Sequence, residues 1–545
     1  MKLTRVHIVK AATCGGLLDG LDVSLRGNVG DAGNFDPICL VGPNGAGKSQ
    51  FLQVIAEAFQ AVFHECVRNE ERAKGNDELQ FELEYLIHPA NVAKPILVRV
   101  ARQSEGKRRP SLKIERREAL AWMPCPVGDP ATIELLPSRI IGYTSGGNET
   151  LSLPFMVSRT GYADAVTKQA LDRESEQSGK SIPDTRLMLV DYGTHLEVLV
   201  ANLVLGAAAE RTALFQETNL KELHSYRCVI QLAHSAAPKL SGHGSVGRKR
   251  KGVQLTNELE QYIDQLKRCS TCHSYDEKSE TYIFDFLVTE ATREASKHFW
   301  KTSLALYSAL HKLSMLNDLA IPKVARERLL RDIKTRRFAS RLPEPQDEDR
   351  VFRFEQLRFS PKKGSGVVDY VSLSDGEHQL AQILGTMCMA SSANTLFLLD
   401  EPESHFNPQW RVKFISRLMD LPTANGKRSG ARSASAKQDC LLTTHAPFVP
   451  SDMSREKVLI FKKVAAGVQV RRPDIETFGT SFDTILQECF DVSPPMSEVA
   501  RREISDLMKS TDLEEIQAGI ARLGDSVEKI FLIDRLRSLT HAEGA

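Results

Sequence analysis

Apolar and polar residues alternate along Lys2–Val9 and Leu21–Leu25, the period of short, half-buried strands. Pro37–Val41 is apolar almost throughout, as a buried strand would be, and runs directly into a glycine-rich loop. Phe51–His64 then carries its apolar residues at helical spacing, so the order strand, loop, helix is predicted there. Phe81–Ile87 and Ile96–Val100 read as an antiparallel pair across a short connection. From about residue 156 to 350 strand signals thin out and helical ones dominate, with Leu196–Glu210, Asn257–Arg268 and Glu290–Leu319 as candidates. None keeps up a heptad seam, so a long coiled-coil arm is not expected. Strand signals return at Val351–Phe359, Thr395–Leu399, Cys440–Thr443 and Val468–Arg471, and Ser481–His541 reads as a small group of helices.

Composition narrows the class. A chain of 545 residues is long for one core, so about two to four domains are expected. Hydrophobic content of 41% and charged content of 26% are those of an ordinary globular protein. A net charge of +1 supplies no overall pull toward nucleic acid, so any such contact must come from a local patch. The ten cysteines follow no framework spacing, which fits free thiols in a reducing cytoplasm. The first 25 residues hold no uninterrupted apolar core of a secretory signal. The apolar stretch Leu187–Ala209 is broken by Asp191, His195, Glu197 and Asn202, so no membrane span is expected.

The chemistry is concentrated in two places. Gly42-Pro43-Asn44-Gly45-Ala46-Gly47-Lys48-Ser49 matches the full P-loop pattern, with the strand before it and the helix after it that the pattern requires. Its glycines let backbone N–H groups face phosphates, and the helix N-terminus adds its positive end. Lys48 is expected to reach the β- and γ-phosphates of ATP, and the Ser49 hydroxyl to ligate Mg2+. Some 350 residues later in sequence, the apolar run Thr395–Leu399 ends in Asp400-Glu401. A buried strand that delivers an acid to its carboxyl end is where P-loop folds hold magnesium, which assigns Asp400 to the metal and Glu401 to the general base.

Leu373-Ser374-Asp375-Gly376-Glu377, a short way before Asp400, resembles the ABC signature, whose usual third residue is glycine rather than Asp375. The same change is familiar in overcoming-lysogenization-defect-like ATPases. The resemblance implies an α/β fold: an ABC-type P-loop ATPase head with a mixed sheet, a mainly helical insertion and a helical C-terminal tail. It divides the chain into an N-terminal lobe (1–155), the insertion (156–350), a C-terminal lobe (351–480) and the tail (481–545). It implies that Ser374 and the Gly376 amide bind the γ-phosphate of ATP held by a second copy of the chain. Glu403-Ser404-His405-Phe406-Asn407-Pro408 fits the D-loop, and Leu441-Leu442-Thr443-Thr444-His445 fits the switch strand, with His445 touching the γ-phosphate or the water. A Q-loop glutamine has no evident match; Arg139–Glu149 occupies about its place and resembles a segment of defence-island ATPases.

At subfamily level the chain resembles the ATPase subunit of Septu-type antiphage systems (PtuA), including the form beside retron reverse transcriptases. The resemblance rests on chain length, Gly142–Glu149, an insert without coiled coil, and Thr477-Phe478-Gly479-Thr480-Ser481-Phe482-Asp483. It implies ATP hydrolysis controlling an HNH endonuclease partner, self-association of heads, and in a retron setting a reverse transcriptase with its RNA–DNA product. The alternative is a DNA-repair or SMC-like ATPase that binds DNA directly. No nuclease activity is expected of this chain itself. Arg293 and His298 have the spacing of an Arg–His ribonuclease pair, but any helix produces such a pair easily. Cys269-Ser270-Thr271-Cys272-His273 lacks a second pair of zinc ligands and reads as thiols. The basic runs Lys107-Arg108-Arg109 and Arg248-Lys249-Arg250-Lys251 read as solvated surface, and Asn425–Gln438 as a low-complexity loop.

Overall fold

The computed structural model describes all residues except 28–33, 91, 93, 105, 107–108, 146–148, 172–180, 192–193, 234–249, 251, 323, 329–330, 332–344, 424–425, 431–433, 466 and 544–545. The chain divides into two compact units, Met1–Gly479 and Thr480–Ala545.

The first unit is built on a seven-stranded sheet. Its order is Gly467–Arg471, Val458–Val464, Ile38–Val41, Asp439–Thr443, Thr395–Asp400, Arg139–Thr144, Leu187–Val190. Neighbours run parallel except at the first pair, which is antiparallel, so the sheet is mixed. The three central strands are buried at every position, which is why they read as unbroken apolar runs rather than as alternation. The helix Lys48–Cys66 is buried on nearly all sides. Phe51 meets Phe461 of this mixed sheet at 5.3 Å, and Phe59 meets Tyr85 of a second sheet at 5.7 Å. A helix wedged between two sheets has no polar face to spare.

That second sheet is antiparallel and six-stranded, ordered Leu21–Ser24, Lys2–Lys10, Gln80–Ile87, Ile96–Gln103, Ser111–Glu118, Ala121–Cys125. A third sheet has the order Cys272–Asp276, Thr281–Leu287, Leu220–Gln231, Phe352–Pro361, Val368–Asp369. Helices are the main elements between 156 and 350, among them His195–Leu205, Ala208–Leu214, Asn257–Cys269, Glu290–Trp300 and Ser303–Ser314. The thinning of strand signals there is nevertheless misleading. Leu187–Val190 is an edge strand of the main sheet, and Leu220–Gln231 pairs along its length with Phe352–Pro361. Short apolar runs between helical ones cannot be told from helix by periodicity alone. Glu290–Leu319, which reads as one helix, breaks at Lys301, whose φ is 55°.

A buried ion pair joins two of the sheets. Asp439, fully buried at the start of its strand, accepts from the Leu3 N–H at 2.7 Å and pairs with the buried Arg26 guanidinium. Burial pushes the Asp439 carboxyl up, but Arg26, Lys2 and the Leu3 N–H outweigh it and hold it below its ordinary 3.8. Nearby, Thr395–Asp400 and Asp439–Thr443 lie side by side in register, Leu399 beside Leu442.

The second unit holds the helix Phe482–Phe490 and three further helices, Glu498–Lys509, Leu513–Arg522 and Val527–Glu543, which share a small core of Ile504, Leu507 and Leu532. Ser481 and Asp512 cap two of them by accepting first-turn N–H groups. No helix of the described residues is long and apolar enough to cross a membrane.

Because removing one partner strands a buried charge, Asp439→Asn is expected to cost about 3–5 kcal/mol, read from the denaturant midpoint. The stabilisation belongs to a carboxyl whose folded pKa is depressed. It is therefore complete above about pH 4 and lost as pH falls through the lower folded value.

Candidate nucleotide site

The loop between Ile38–Val41 and Lys48–Cys66 turns on residues with positive φ: Gly42 at 131°, Gly45 at 74° and Gly47 at 92°. At Gly42 a Cβ would stand 2.2 Å from the Phe461 carbonyl oxygen, so both conformation and space demand glycine. Pro43 is half-buried and its carbonyl accepts from the Ala46 N–H. Asn44 and Gly45 form the exposed tip, while Ala46, Gly47 and Lys48 are buried. Lys48 Nζ donates to the carbonyls of Gly42 at 2.8 Å and Pro43 at 3.0 Å, so the loop folds around its own ammonium group. Burial lowers the Lys48 pKa to about 8, against the opposing pull of Glu401 and Asp400.

The two distant sequence regions meet at Asp400. The Ser49 hydroxyl donates to Asp400 Oδ1 at 2.8 Å, across 351 residues of chain. The Thr443 hydroxyl donates to the same oxygen at 2.6 Å. Asp400 is 2% exposed, and burial raises its carboxyl pKa despite the two hydroxyl donors. Glu401 follows with φ at 47°, a left-handed conformation that costs a non-glycine residue about 1–2 kcal/mol. Its N–H donates to Thr443 Oγ1 at 2.9 Å. Its carboxylate lies 3.3 Å from His445 Nε2, and that contact holds the Glu401 pKa below the ordinary value. The base-side carboxylate is thus ionised and only partly buried, open to a water molecule.

Ser374 caps the helix Asp375–Met389. It accepts from the Glu377 N–H, while the Ser374 N–H and hydroxyl donate to Glu377 Oε2 at 2.9 and 3.0 Å. Ser374 and Asp375 are exposed and Gly376 is buried. A Cβ on Gly376 would stand 2.8 Å from the His405 carbonyl oxygen, so this helix start lies directly on the D-loop. Gln379 reinforces the contact: its Nε2 donates to Ser404 Oγ at 3.1 Å, and its Oε1 accepts from the His405 N–H at 3.0 Å. Glu403, 3% exposed, accepts from the Thr444 hydroxyl and links the D-loop to the switch strand. Burial raises the Glu403 pKa to about 7.

Thr443, Gln379 and Glu403 are not singled out by sequence. A hydroxyl pair just before His445 at the end of a buried strand was the available signal for Thr443; Gln379 leaves none. Of the segment Gly142–Glu149, residues 146–148 lie outside the described residues, as do 107–108, 248–249 and 251 of the basic runs. Arg250 pairs with Glu260, and Arg293 donates to the carbonyls of Leu203 and Val204, closing the end of the helix His195–Leu205. Cys269 is buried and Cys272 exposed. Among the described residues no group of three or more His, Cys, Asp or Glu side chains could hold a metal ion.

That donor set fits a magnesium-bound nucleoside triphosphate. Mg2+ is commonly held by one carboxylate and a few oxygens, with phosphates completing its shell. Ser49 Oγ and Asp400 Oδ1 are hard oxygens 2.8 Å apart, beside an ammonium group enclosed by phosphate-binding backbone. Since the protonated form of Lys48 attracts phosphate, ATP affinity measured in EDTA is expected to stay flat from pH 6.5 to 7.5. It should fall by up to about tenfold between pH 8 and 9, as free Lys48 loses its proton. Calorimetric titration checks this, with Lys48→Ala removing the dependence.

Comparison with known proteins gives likenesses over part of the chain. A family model described as "AAA domain, putative AbiEii toxin, Type IV TA system" matches residues 306–452, which include Ser374, Asp400, Glu401 and His445. "Protein ea59" of Escherichia phage lambda is 27% identical over 145 residues, 26% of this chain. The matched stretch spans 26% of that phage protein. With the P-loop seated against Asp400, the family match supports a P-loop ATPase that binds nucleotide.

Proposed function

We propose that this chain hydrolyses ATP and is the ATPase subunit of a Septu-type antiphage complex, in which ATP-dependent pairing of two heads controls an HNH endonuclease. The observation that carries the hydrolytic part is the cluster Ser49–Asp400–Thr443–Glu401–His445. Backbone N–H groups of Gly45–Lys48 and the Lys48 ammonium bind the phosphates. Ser49 and Asp400 would hold magnesium, which would neutralise phosphate charge when bound. Glu401 Oε accepts a proton from water as its oxygen bonds to the γ-phosphorus; the bond from phosphorus to the β–γ bridging oxygen breaks, and ADP leaves with that electron pair. His445 keeps the carboxylate ionised and aimed.

Support for pairing comes from the signature. Ser374 and Asp375 are exposed at a helix N-terminus that is fixed from behind by Gln379 and Gly376, and the Ser374 N–H and hydroxyl are held by Glu377, which a partner's phosphate would have to displace. In the resembling ABC heads, that end completes the site of the partner. The link to phage defence draws on the motif resemblance; the phage relative and the toxin description are compatible with it. Partner HNH nuclease and, in a retron setting, reverse transcriptase with its RNA–DNA are part of the same proposal, as is a cytoplasmic location.

Glu401→Gln is expected to slow ATP turnover by about a hundredfold or more while leaving nucleotide affinity within a few-fold. In complex with the HNH subunit the same variant should shift DNA cutting. Undiminished turnover removes Glu401 as the base, and unchanged cutting removes the ATPase from control of the nuclease.

A further inference from the structure

Thr443 sits beside both acids of the site. It ends the strand Asp439–Thr443, which lies between the strand leading into the P-loop and the strand ending in Asp400. Its side chain is fully buried. One hydroxyl makes two bonds at once: its O–H donates to Asp400 Oδ1 at 2.6 Å, and its oxygen accepts from the Glu401 N–H at 2.9 Å. The first bond selects the orientation of the acid. The second holds the backbone of the next residue, which stands at φ 47° and keeps that strained turn only while its surroundings impose it. Asp400 and Glu401 are therefore both held by one oxygen atom.

Ser49 also donates to Asp400 Oδ1, at 2.8 Å. A Ser49 oxygen facing magnesium would still donate its O–H to Asp400, whereas the Thr443 hydroxyl is engaged wholly by Asp400 and the Glu401 N–H. We infer that Thr443 is a positioning residue for ATP hydrolysis, fixing the Asp400 carboxylate for magnesium and the Glu401 backbone for attack on the γ-phosphate. This rests on the ATPase reading above. It adds a residue outside the P-loop, signature and acid pair. Thr444 differs in kind: its hydroxyl serves Glu403 and the Ala446 N–H and touches neither acid of the site.

The side chain allows a clean test. Valine has nearly the same shape and neither bond, and serine has the hydroxyl without the methyl group. Two measurements are made on the full chain. The first titrates Mg2+ into protein with a fluorescent, non-hydrolysable ATP analogue; the second records kcat and KM for ATP. In Thr443→Val the analogue should bind in EDTA as it does to the unaltered protein, while half-saturating Mg2+ rises about tenfold. The kcat should fall ten- to a hundredfold with little change in KM, the scale of a lost hydrogen bond to a charged group. Thr443→Ser should return both quantities to within about threefold.

Thr443→Val that matches the unaltered protein in both quantities would overturn the inference. So would Thr443→Ser as impaired as valine, because the methyl group and not the hydroxyl would then matter. Should Thr443→Val not fold, Thr443→Cys, similar in size with a weak donor, takes its place under the same two outcomes. If the unaltered protein binds the analogue with Mg2+ yet turns over no ATP, the ATPase reading falls on its own. The Mg2+ titration still decides whether Thr443 positions Asp400.

Discussion

Asp400 Oδ1 accepts two hydroxyl protons, from Ser49 at the start of the P-loop helix and from Thr443 at the end of the switch strand. These bonds join three chain segments, Ser49 lying 351 residues from Asp400 and Thr443 lying 43 from it, and the fold is arranged so that they can form. The strand leading into the P-loop and the strands ending in Thr443 and Asp400 lie side by side, with the switch strand in the middle, and deliver their carboxyl ends to one place. Ligand sites at the carboxyl ends of parallel strands follow from this geometry, since loops and helix N-termini gather there. Without the sheet order, Asp400 would be a buried acid with no partner, at a cost of several kcal/mol.

The D-loop extends that junction outward. From Glu401 it runs past Glu403, held by Thr444, and past Ser404 and His405, held by Gln379 of the signature helix. Gly376 lets the helix start rest against the His405 carbonyl, so the exposed end bearing Ser374 cannot shift without moving the D-loop. Behind the signature, the rings of Tyr370 and His378 lie 4.2 Å apart with His195 of a neighbouring helix against both. Asn202 of that helix donates to the Gly385 carbonyl at 2.8 Å. The stretch between the two ATPase halves is thereby packed directly on the signature helix.

The main elements of the site were legible in sequence because each obeys a local rule. The P-loop needs its glycines for positive φ, a strand buried on both faces is apolar throughout, and Ser374 with Glu377 spells a capping box. The strands Leu187–Val190 and Leu220–Gln231 were not legible, since their partners lie elsewhere in the chain and short apolar runs have no period of their own. Thr443 was hidden for a related reason. Its role comes from lying next to Asp400 across a parallel pair, a register that only the folded sheet reveals. The Arg293–His298 pair had the reverse fate: a suggestive spacing resolved into a helix cap.

A site shared between two copies can be tested by mixing two dead variants. Differently tagged chains carrying Lys48→Ala and Ser374→Arg are purified as a mixed assembly, each variant alone being inactive. In the mixed pair one site joins both lesions and the other has an intact P-loop facing an intact signature. ATP turnover regained on mixing, to about half the unaltered rate per pair when the sites act independently, is the expected result. A mixed assembly as silent as its components would contradict a nucleotide site completed by Ser374 of a second copy.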